Sequence, residues 1–101
     1  MTDAEIKELL VPVKNHLRIT WPEEDPDLIK LIKRAMGYFK SVTGVDLDFK
    51  ADEQPQHLLL ERCRYVYNRS AEEFEKNFRH EIINLQFQAA LKERRERLGK
   101  T

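Results

Sequence analysis

The chain has little of what secreted, metal-binding or membrane-spanning proteins need. It has a single cysteine, Cys63, so it cannot form an internal disulfide or a cysteine cluster that holds a metal ion. No apolar run approaches the roughly 20 residues that a transmembrane helix requires, and the N-terminal segment lacks the apolar core of a signal peptide. We therefore expect a protein of the reducing cytoplasm that does not enter a membrane.

Motifs that carry chemistry are missing as well. The three glycines, Gly37, Gly44 and Gly99, are too scattered to form a phosphate-binding loop. The three histidines, His16, His57 and His80, lack the spacing of metal ligands, and the acidic segment 23–27 lacks the spacing of a calcium loop. The sequence thus predicts no enzyme, no cofactor and no metal, and Cys63 is expected to be a small buried apolar residue.

The charge is balanced, with 18 basic and 18 acidic residues among 101. A neutral chain has no overall field that would attract nucleic acid or an anionic membrane. Its charges are nevertheless unevenly placed, because segment 23–27 is acidic and the segment after residue 91 is mainly basic. The length fits one domain, and a charged fraction of 36%, above the usual quarter or so, fits a subunit with wide polar faces or several partners.

Hydrophobic periodicity predicts an all-α fold, a small bundle of four to five helices with a long C-terminal helix. The first helix is expected over residues 3–17, where Thr2 and Glu5 have the spacing of a capping box. Pro12 lies inside this run. We expect it to kink or break the helix near Leu10, or to open a second short helix.

The second helix has the clearest limits. Asp25 is a good N-cap, Pro26 a good first residue and Gly44 a good left-handed C-cap. Its apolar stripe is Leu28, Leu31, Ile32, Ala35, Phe39 and Val42. The third helix is predicted from Pro55 to Tyr67, with Leu59, Cys63, Val66 and Tyr67 on its apolar side.

The last helix is predicted to be continuous from Ala71 to Arg97, with Ser70 and Glu73 as a second capping box. Its first apolar stripe is Phe74, Phe78, Ile82, Leu85 and Ala89. A second stripe, Ile83, Phe87, Ala90 and Leu91, lies to one side. One core needs only one stripe, so the second indicates either deep burial or another contact partner.

Three segments outside the helical core are candidate contact sites. The chain after Leu91 is almost wholly charged and is expected to leave the core, which gives a helical domain over 1–91 and a tail over 92–101. Val45, Leu47 and Phe49 alternate with polar residues; they form either a loop that caps the core or a strand added to a partner. Trp21 either caps the bundle or anchors a partner.

The order and spacing of several segments resemble a known family. The segments are VKNHLRI at 13–19, DPDLIKLI at 25–32 with Thr43-Gly44 closing that helix, LLLERCRY at 58–65, FEKNF at 74–78 and IINLQ at 82–86. Together they are similar to the HK97-type head–tail connector (adaptor) proteins of long-tailed phages and prophages, over nearly the whole chain.

The resemblance implies a non-enzymatic virion protein of the head–tail junction, assembled in the bacterial cytoplasm. Such subunits form a ring, a dodecamer if it matches the portal protein, although an isolated subunit can be monomeric. The ring extends the channel through which DNA passes without sequence-specific binding, and it is a platform for the stopper or tail-completion protein.

Within that interpretation we assign three sets of residues. The subunit interface is Ile83, Phe87 and Leu91; the portal-docking tail is Lys92, Arg94, Arg95 and Arg97; and the loop facing the next ring is Val45, Leu47 and Phe49. The alternative is a small helical regulator that binds DNA or a protein partner.

Overall fold

The computed structural model describes residues 3–99, and over that range it consists of five helices without a strand. They are α1 (Asp3–Leu17), α2 (Asp25–Thr43), α3 (Glu53–Tyr67), α4 (Ala71–Asn77) and α5 (Arg79–Gly99). The predicted all-α bundle with a long C-terminal helix is confirmed.

Helix α1 runs through Pro12 without ending, so the expected break near Leu10 and the alternative of a second short helix are both wrong, while the kink stays a prediction. Ile6, Leu9 and Val13 lie one turn apart on one face and are all buried. Their packing against the bundle outweighs the single backbone hydrogen bond that proline removes. Thr2, the first member of the proposed capping box, lies outside the described residues.

Helix α2 follows the predicted stripe, and Leu28, Ile32, Ala35 and Phe39 are all buried. Its N-cap is Glu24 rather than Asp25, and no side chain caps it. Gly44 ends the helix as predicted, with φ of 75° and its N–H donating to the Lys40 carbonyl oxygen at 2.8 Å. Glycine suits this position because a side chain disfavours positive φ.

Helix α3 begins at Glu53, two residues before the predicted start, and buries Pro55 in its first turn. Leu58, Leu59 and Cys63 are fully buried. The prediction placed Tyr67 on the apolar side, but Tyr67 is exposed in the last turn. The buried face therefore lies closer to Leu58 than the sequence pattern indicated.

The predicted single C-terminal helix is divided at Phe78, which adopts φ of −116° and ψ of 21°. The Phe78 ring stacks on Phe74 with centroids 5.1 Å apart and stands edge-on to Tyr65 at 5.7 Å. Helix α4 packs on α3, and α5 contacts both α2 and α3. Both halves of the predicted stripe thereby stay in the core, since Phe74 and Ile82 are buried.

The second proposed capping box is not formed. Ser70 is the N-cap of α4, but its hydroxyl makes no capping bond to the helix. The Glu73 N–H donates instead to the Ser70 backbone carbonyl at 3.0 Å.

The segment between α2 and α3 is a loop that caps the core. Phe49 is only 3% exposed, with its ring centroid 6.0 Å from that of Phe39. Leu47 packs partly buried beside it. Of the two alternatives for this segment, the capping loop is correct.

The helices give the molecule two distinct ends, on a long axis of 50 Å. At one end the Lys14 ammonium contacts Asp25 at 2.7 Å, and the Tyr67 hydroxyl donates to Glu24 at 3.0 Å. The C-termini of α1 and α3 thus meet the N-terminus of α2. At the other end, α5 passes the 45–46 loop and the start of α3. Within residues 3–99, no helix is both long and apolar enough to cross a bilayer.

Candidate interaction surfaces

Residues 3–99 contain neither a cluster of metal ligands nor an accessible thiol. Among the described residues, no three His, Cys, Asp or Glu side chains are grouped so as to hold a metal ion. Cys63 is fully buried in the core, and burial raises the pKa of its thiol to about 12. A thiol with such a pKa is a poor nucleophile at neutral pH.

The most enclosed charged group is Glu61, which joins α1 to α3. Arg64 donates to its Oε2 from Nε at 3.0 Å and from a terminal nitrogen at 2.6 Å. His16 Nε2 lies 3.3 Å from the other carboxylate oxygen, although the angles are not those of a hydrogen bond. The hydrogen bonds of Glu61 thus lie within α3, and the His16 ring of α1 is in contact with the same carboxylate.

The exposed face of α5 carries the second apolar stripe. Ile83 is 51% exposed and Phe87 is 60% exposed, and Leu91 on the same side is partly exposed. At about 100° per residue, this stripe lies nearly opposite the buried residues Ile82, Leu85 and Ala89. We call the half of α5 that points away from the core, with Ile83, Phe87, Leu91 and Arg94, the outward face.

The charges of α5 are divided between its two faces. By the same helical spacing, Arg94 and Arg95 lie on the outward face, whereas all three acidic residues of this helix, Glu81, Glu93 and Glu96, lie on the half nearer the bundle. Arg97 lies at the boundary and contacts Glu93 at 4.0 Å. The outward face is therefore apolar and cationic, with no carboxylate from its own helix.

The proposed portal-docking tail is part of α5, since the helix continues without interruption past Leu91 to Gly99. Its residues from 92 to 99 are all exposed, but its cations do not form one patch. Lys92 lines the clefts against the 45–46 loop and the start of α3, whereas Arg94 and Arg95 point outward. Lys100 and Thr101 lie outside the described residues.

The three residues proposed to face the next ring differ in burial. Val45 and Leu47 are partly exposed, but the Phe49 side chain is enclosed in the core and cannot contact a partner in this conformation. The Asp48 carboxylate accepts the backbone N–H groups of Lys50 and Ala51, both at 3.0 Å. These hydrogen bonds hold the pKa of Asp48 below its ordinary value and fix the shape of the loop.

A second exposed cluster surrounds Glu24. The Trp21 indole N–H donates to Glu24 Oε2 at 2.6 Å, and the Tyr67 hydroxyl donates to Oε1 at 3.0 Å. The hydrogen bond to this carboxylate also raises the pKa of Tyr67. Trp21 stays 45% exposed, so it does not cap the core; one carboxylate holds two aromatic side chains at the surface.

This cluster lies among acidic side chains. The acidic residues there are Glu23, Glu24, Asp25 and Asp27, at the start of α2. Lys30 and Arg34 line one cleft with Glu24, Asp27 and Tyr67, and Lys14 contacts Asp25, so nearby cations offset most of this charge. We call the surface formed by Trp21, Tyr67 and these carboxylates the acidic end. Sequence reasoning singled out Trp21 but missed Tyr67, because their link through Glu24 spans 43 positions.

An open groove of about 460 Å³ lies between α2 and the α4–α5 pair. The Tyr38 hydroxyl donates to Glu75 at 2.9 Å across it, and the Arg62 guanidinium lies 4.0 Å from the centre of the Tyr38 ring. Burial, followed by the hydrogen bond to Glu75, raises the pKa of Tyr38 to about 12. Ile83 lines the groove, so the groove continues into the outward face.

The outward face, the acidic end and the open groove are three surfaces that the described residues present. No protein-family model, curated protein or solved structure matches the chain.

Proposed function

We propose that this chain is a head–tail connector subunit, which assembles as a ring beneath a phage portal and extends the channel for DNA. The observation that carries the proposal is the exposure of Ile83 and Phe87 on the side of α5 opposite the core. Large apolar side chains that line up on one face of a soluble protein commonly mark a contact with another protein.

A ring requires each subunit to use two different surfaces, because identical copies meet side to side. Ile83, Phe87 and Leu91 supply one such surface. The exposed Trp21 and Tyr67 supply another, far from the first. A chain with two separate exposed surfaces, each of which includes an aromatic side chain, is better suited to an assembly than to a monomeric state.

The charge distribution also fits a channel component. A lumen that lets DNA slide must not bind phosphates tightly, and this chain has no net charge. Three of its nine arginines, Arg94, Arg95 and Arg97, lie near the end of α5. In the connector Arg94 and Arg95 would dock on the portal from the outward face, with Arg97 at its boundary, whereas Lys92 lies on the other side of α5, against the 45–46 loop. The fixed 45–49 loop then faces the stopper or tail-completion protein, which it contacts through Val45 and Leu47.

The proposal is tested by co-sedimentation with portal rings from the genome that encodes this chain. The wild-type protein should sediment with the portal, and the double variant Phe87→Ser and Leu91→Ser should bind without closing a ring. Val11→Ser, which removes an exposed apolar residue from α1, is the matched control and should behave as wild type. Circular dichroism should show equal helical content in all three proteins.

Two results would count against the connector. The first is that the wild-type chain does not sediment with portal rings. The second is unfolding of the double variant, because Phe87 and Leu91 would then belong to the monomer core rather than to an interface.

A DNA-binding regulator is the second candidate, favoured by one observation: the outward face carries Arg94 and Arg95 without an acidic neighbour from α5. Retention on duplex DNA that falls steeply with added salt would support it. Arg94→Glu combined with Arg95→Glu should then abolish retention, whereas a connector should show little retention at physiological salt with or without these changes.

A further inference from the structure

We propose that the groove between α2 and the α4–α5 pair is a docking site for a short amphipathic helix of a partner protein. The partner helix places its apolar side chains in the groove and its carboxylates against Lys76 and Arg79. This site goes beyond the proposed connector, because it uses neither the acidic end nor the arginines assigned to portal docking, and it shares only Ile83 with the proposed subunit interface.

The groove is apolar at its centre. Val42 of α2 and Ile82 and Ile83 of α5 line it, and Ile83 is 51% exposed. Along α5 the lining extends from Arg79 to Gln86, which is about 10 Å at 1.5 Å per residue. That length matches two turns of a partner helix, whose apolar anchors recur every three or four residues. The helix that fits therefore has two apolar anchors one turn apart.

Two hydrogen bonds join the walls of the groove and fix its shape. The Tyr38 hydroxyl donates to Glu75 at 2.9 Å and links α2 to α4. The Gln86 side-chain amide donates to the Val42 carbonyl oxygen at 2.8 Å and links α5 to the last turn of α2. Because the walls are already held in place, a partner can bind with little reorganisation of the groove.

The charged side chains of the groove favour an acidic partner. The Arg62 guanidinium lies 4.0 Å from the centre of the Tyr38 ring, and the Glu75 carboxylate accepts from the hydroxyl of the same tyrosine. One cation and one carboxylate thus offset each other there. Lys76 and Arg79 add two exposed cations to the lining. Within residues 3–99 neither of these two cations forms an ion pair.

The neighbouring charges leave an excess of positive charge. Glu72 lies one turn before Lys76 on α4 and offsets one of the two cations, but Arg34 lies one turn before Tyr38 on α2 and adds another. By helical spacing, Glu73 and Glu81 lie on the sides of α4 and α5 that are turned away from the groove. A partner helix with carboxylates beside its apolar anchors is therefore the complement of this groove, and a basic helix is repelled.

The probes are two synthetic helices of about four turns, each with the same two leucines one turn apart. One probe has glutamate beside the leucines, and the other has lysine at the same positions. Fluorescence anisotropy of a dye on the probe measures its binding to the full chain. We expect the acidic helix to bind at least about tenfold more tightly than the basic helix, and to lose affinity as salt is added.

Two double charge reversals locate the site. Lys76→Glu with Arg79→Glu reverses the groove and should weaken binding of the acidic helix at least about tenfold. Arg94→Glu with Arg95→Glu is the matched control, since it makes the same change in charge on exposed residues outside the groove, and it should leave this affinity unchanged. Lys76→Gln with Arg79→Gln removes the charges without adding carboxylates and should give a smaller loss. Circular dichroism verifies the fold of each variant.

The same variants separate the groove from the connector. The groove reversal should still sediment with portal rings, whereas the control reversal should sediment with them less. A chain that sediments with the portal but does not bind the acidic helix retains the connector and loses the groove. A chain that binds the acidic helix but does not sediment with the portal does the reverse.

Four further results would overturn the inference. Equal affinity for the two probes would mean that the groove does not select carboxylates. Equal affinity of wild type and the groove reversal would place the site elsewhere. A loss in the control as large as that in the groove reversal would assign the probe to the outward face. Self-association of wild type that the groove reversal abolishes in sedimentation velocity would identify a second copy as the occupant.

Discussion

The ring of Phe74 stands edge-on to the ring of Phe39, with their centroids 6.1 Å apart and their planes at 81°. Both side chains are fully buried, and the contact joins α4 to α2 at the centre of the core. Because interiors are close-packed, Phe74→Ala should lower the free energy of unfolding by about 3–5 kcal/mol. Denaturant titration followed by circular dichroism measures the change.

Phe87→Ala is the matched control, since it deletes the same ring from an exposed position of α5. It should change the stability of the monomer by no more than about 0.5 kcal/mol. Similar losses for the two variants would mean that Phe87 packs in the core in solution, which would contradict the exposed face.

Two glycines of the α2 region should respond to alanine with opposite signs. Gly44→Ala places a side chain on a residue with φ of 75° and should cost about 1–2 kcal/mol. Gly37 lies inside the helix, and a Cβ there meets nothing within 4 Å. Gly37→Ala should therefore stabilise the protein by about 0.5–1 kcal/mol. Thermal unfolding of the two variants beside wild type decides this, and a stabilising Gly44→Ala would contradict the left-handed cap.

Cys63 should be unreactive toward thiol reagents in the native protein. Its thiol is buried, and burial raises its pKa from 9.0 to about 12, so very little thiolate exists at neutral pH. A chromogenic disulfide reagent should react with the unfolded chain at once and with the native chain only as fast as the core opens. Rapid labelling of the native protein would show that the core around α3 opens much more readily than its packing implies.

The free energy of unfolding should decrease in alkaline solution, in part because the Tyr38 phenol ionises more easily in the unfolded state. Burial raises its pKa to about 12 in the folded state, above the value near 10 of an unfolded tyrosine. Below pH 10 the Tyr38 phenol is protonated in both the folded and the unfolded state, so its full contribution to the free energy of unfolding is present. Between pH 10 and 12 only the unfolded state gives up the proton, so stability declines as pH rises.

Tyr38→Phe separates this effect from other groups that titrate in the same range, Cys63 among them. The variant lacks the phenol, so its melting temperature should fall less steeply between pH 10 and 12 than that of wild type. Parallel curves for the two proteins would show that Tyr38 ionises equally in both states.

The fold could be predicted largely from local signals. The stripe of α2 and the cap at Gly44 depend on helical periodicity and on one backbone preference, and both are found where the sequence places them. The break at Phe78 could not be predicted this way. It depends on contacts of Phe78 with Tyr65, a residue of another helix, and the sequence on either side of the break remains favourable to a helix.

The exposed surfaces, like the fold, are only partly predictable from local signals. The second stripe of α5 was visible as surplus apolar residues, and Ile83 and Phe87 are indeed exposed. The burial of Phe49 and the joining of Trp21 to Tyr67 depend on which distant segments meet. Periodicity within a segment carries no information about such pairings.

Trp21 is the single tryptophan of the chain, and it lies at the acidic end with its indole partly in water. The intrinsic fluorescence of the whole molecule is consequently dominated by that one location. A macromolecule that covers the acidic end displaces water from the ring and moves the emission to shorter wavelength, whereas binding confined to α5 leaves the spectrum unchanged. The protein thus carries a built-in optical reporter that distinguishes its two surfaces without any added dye.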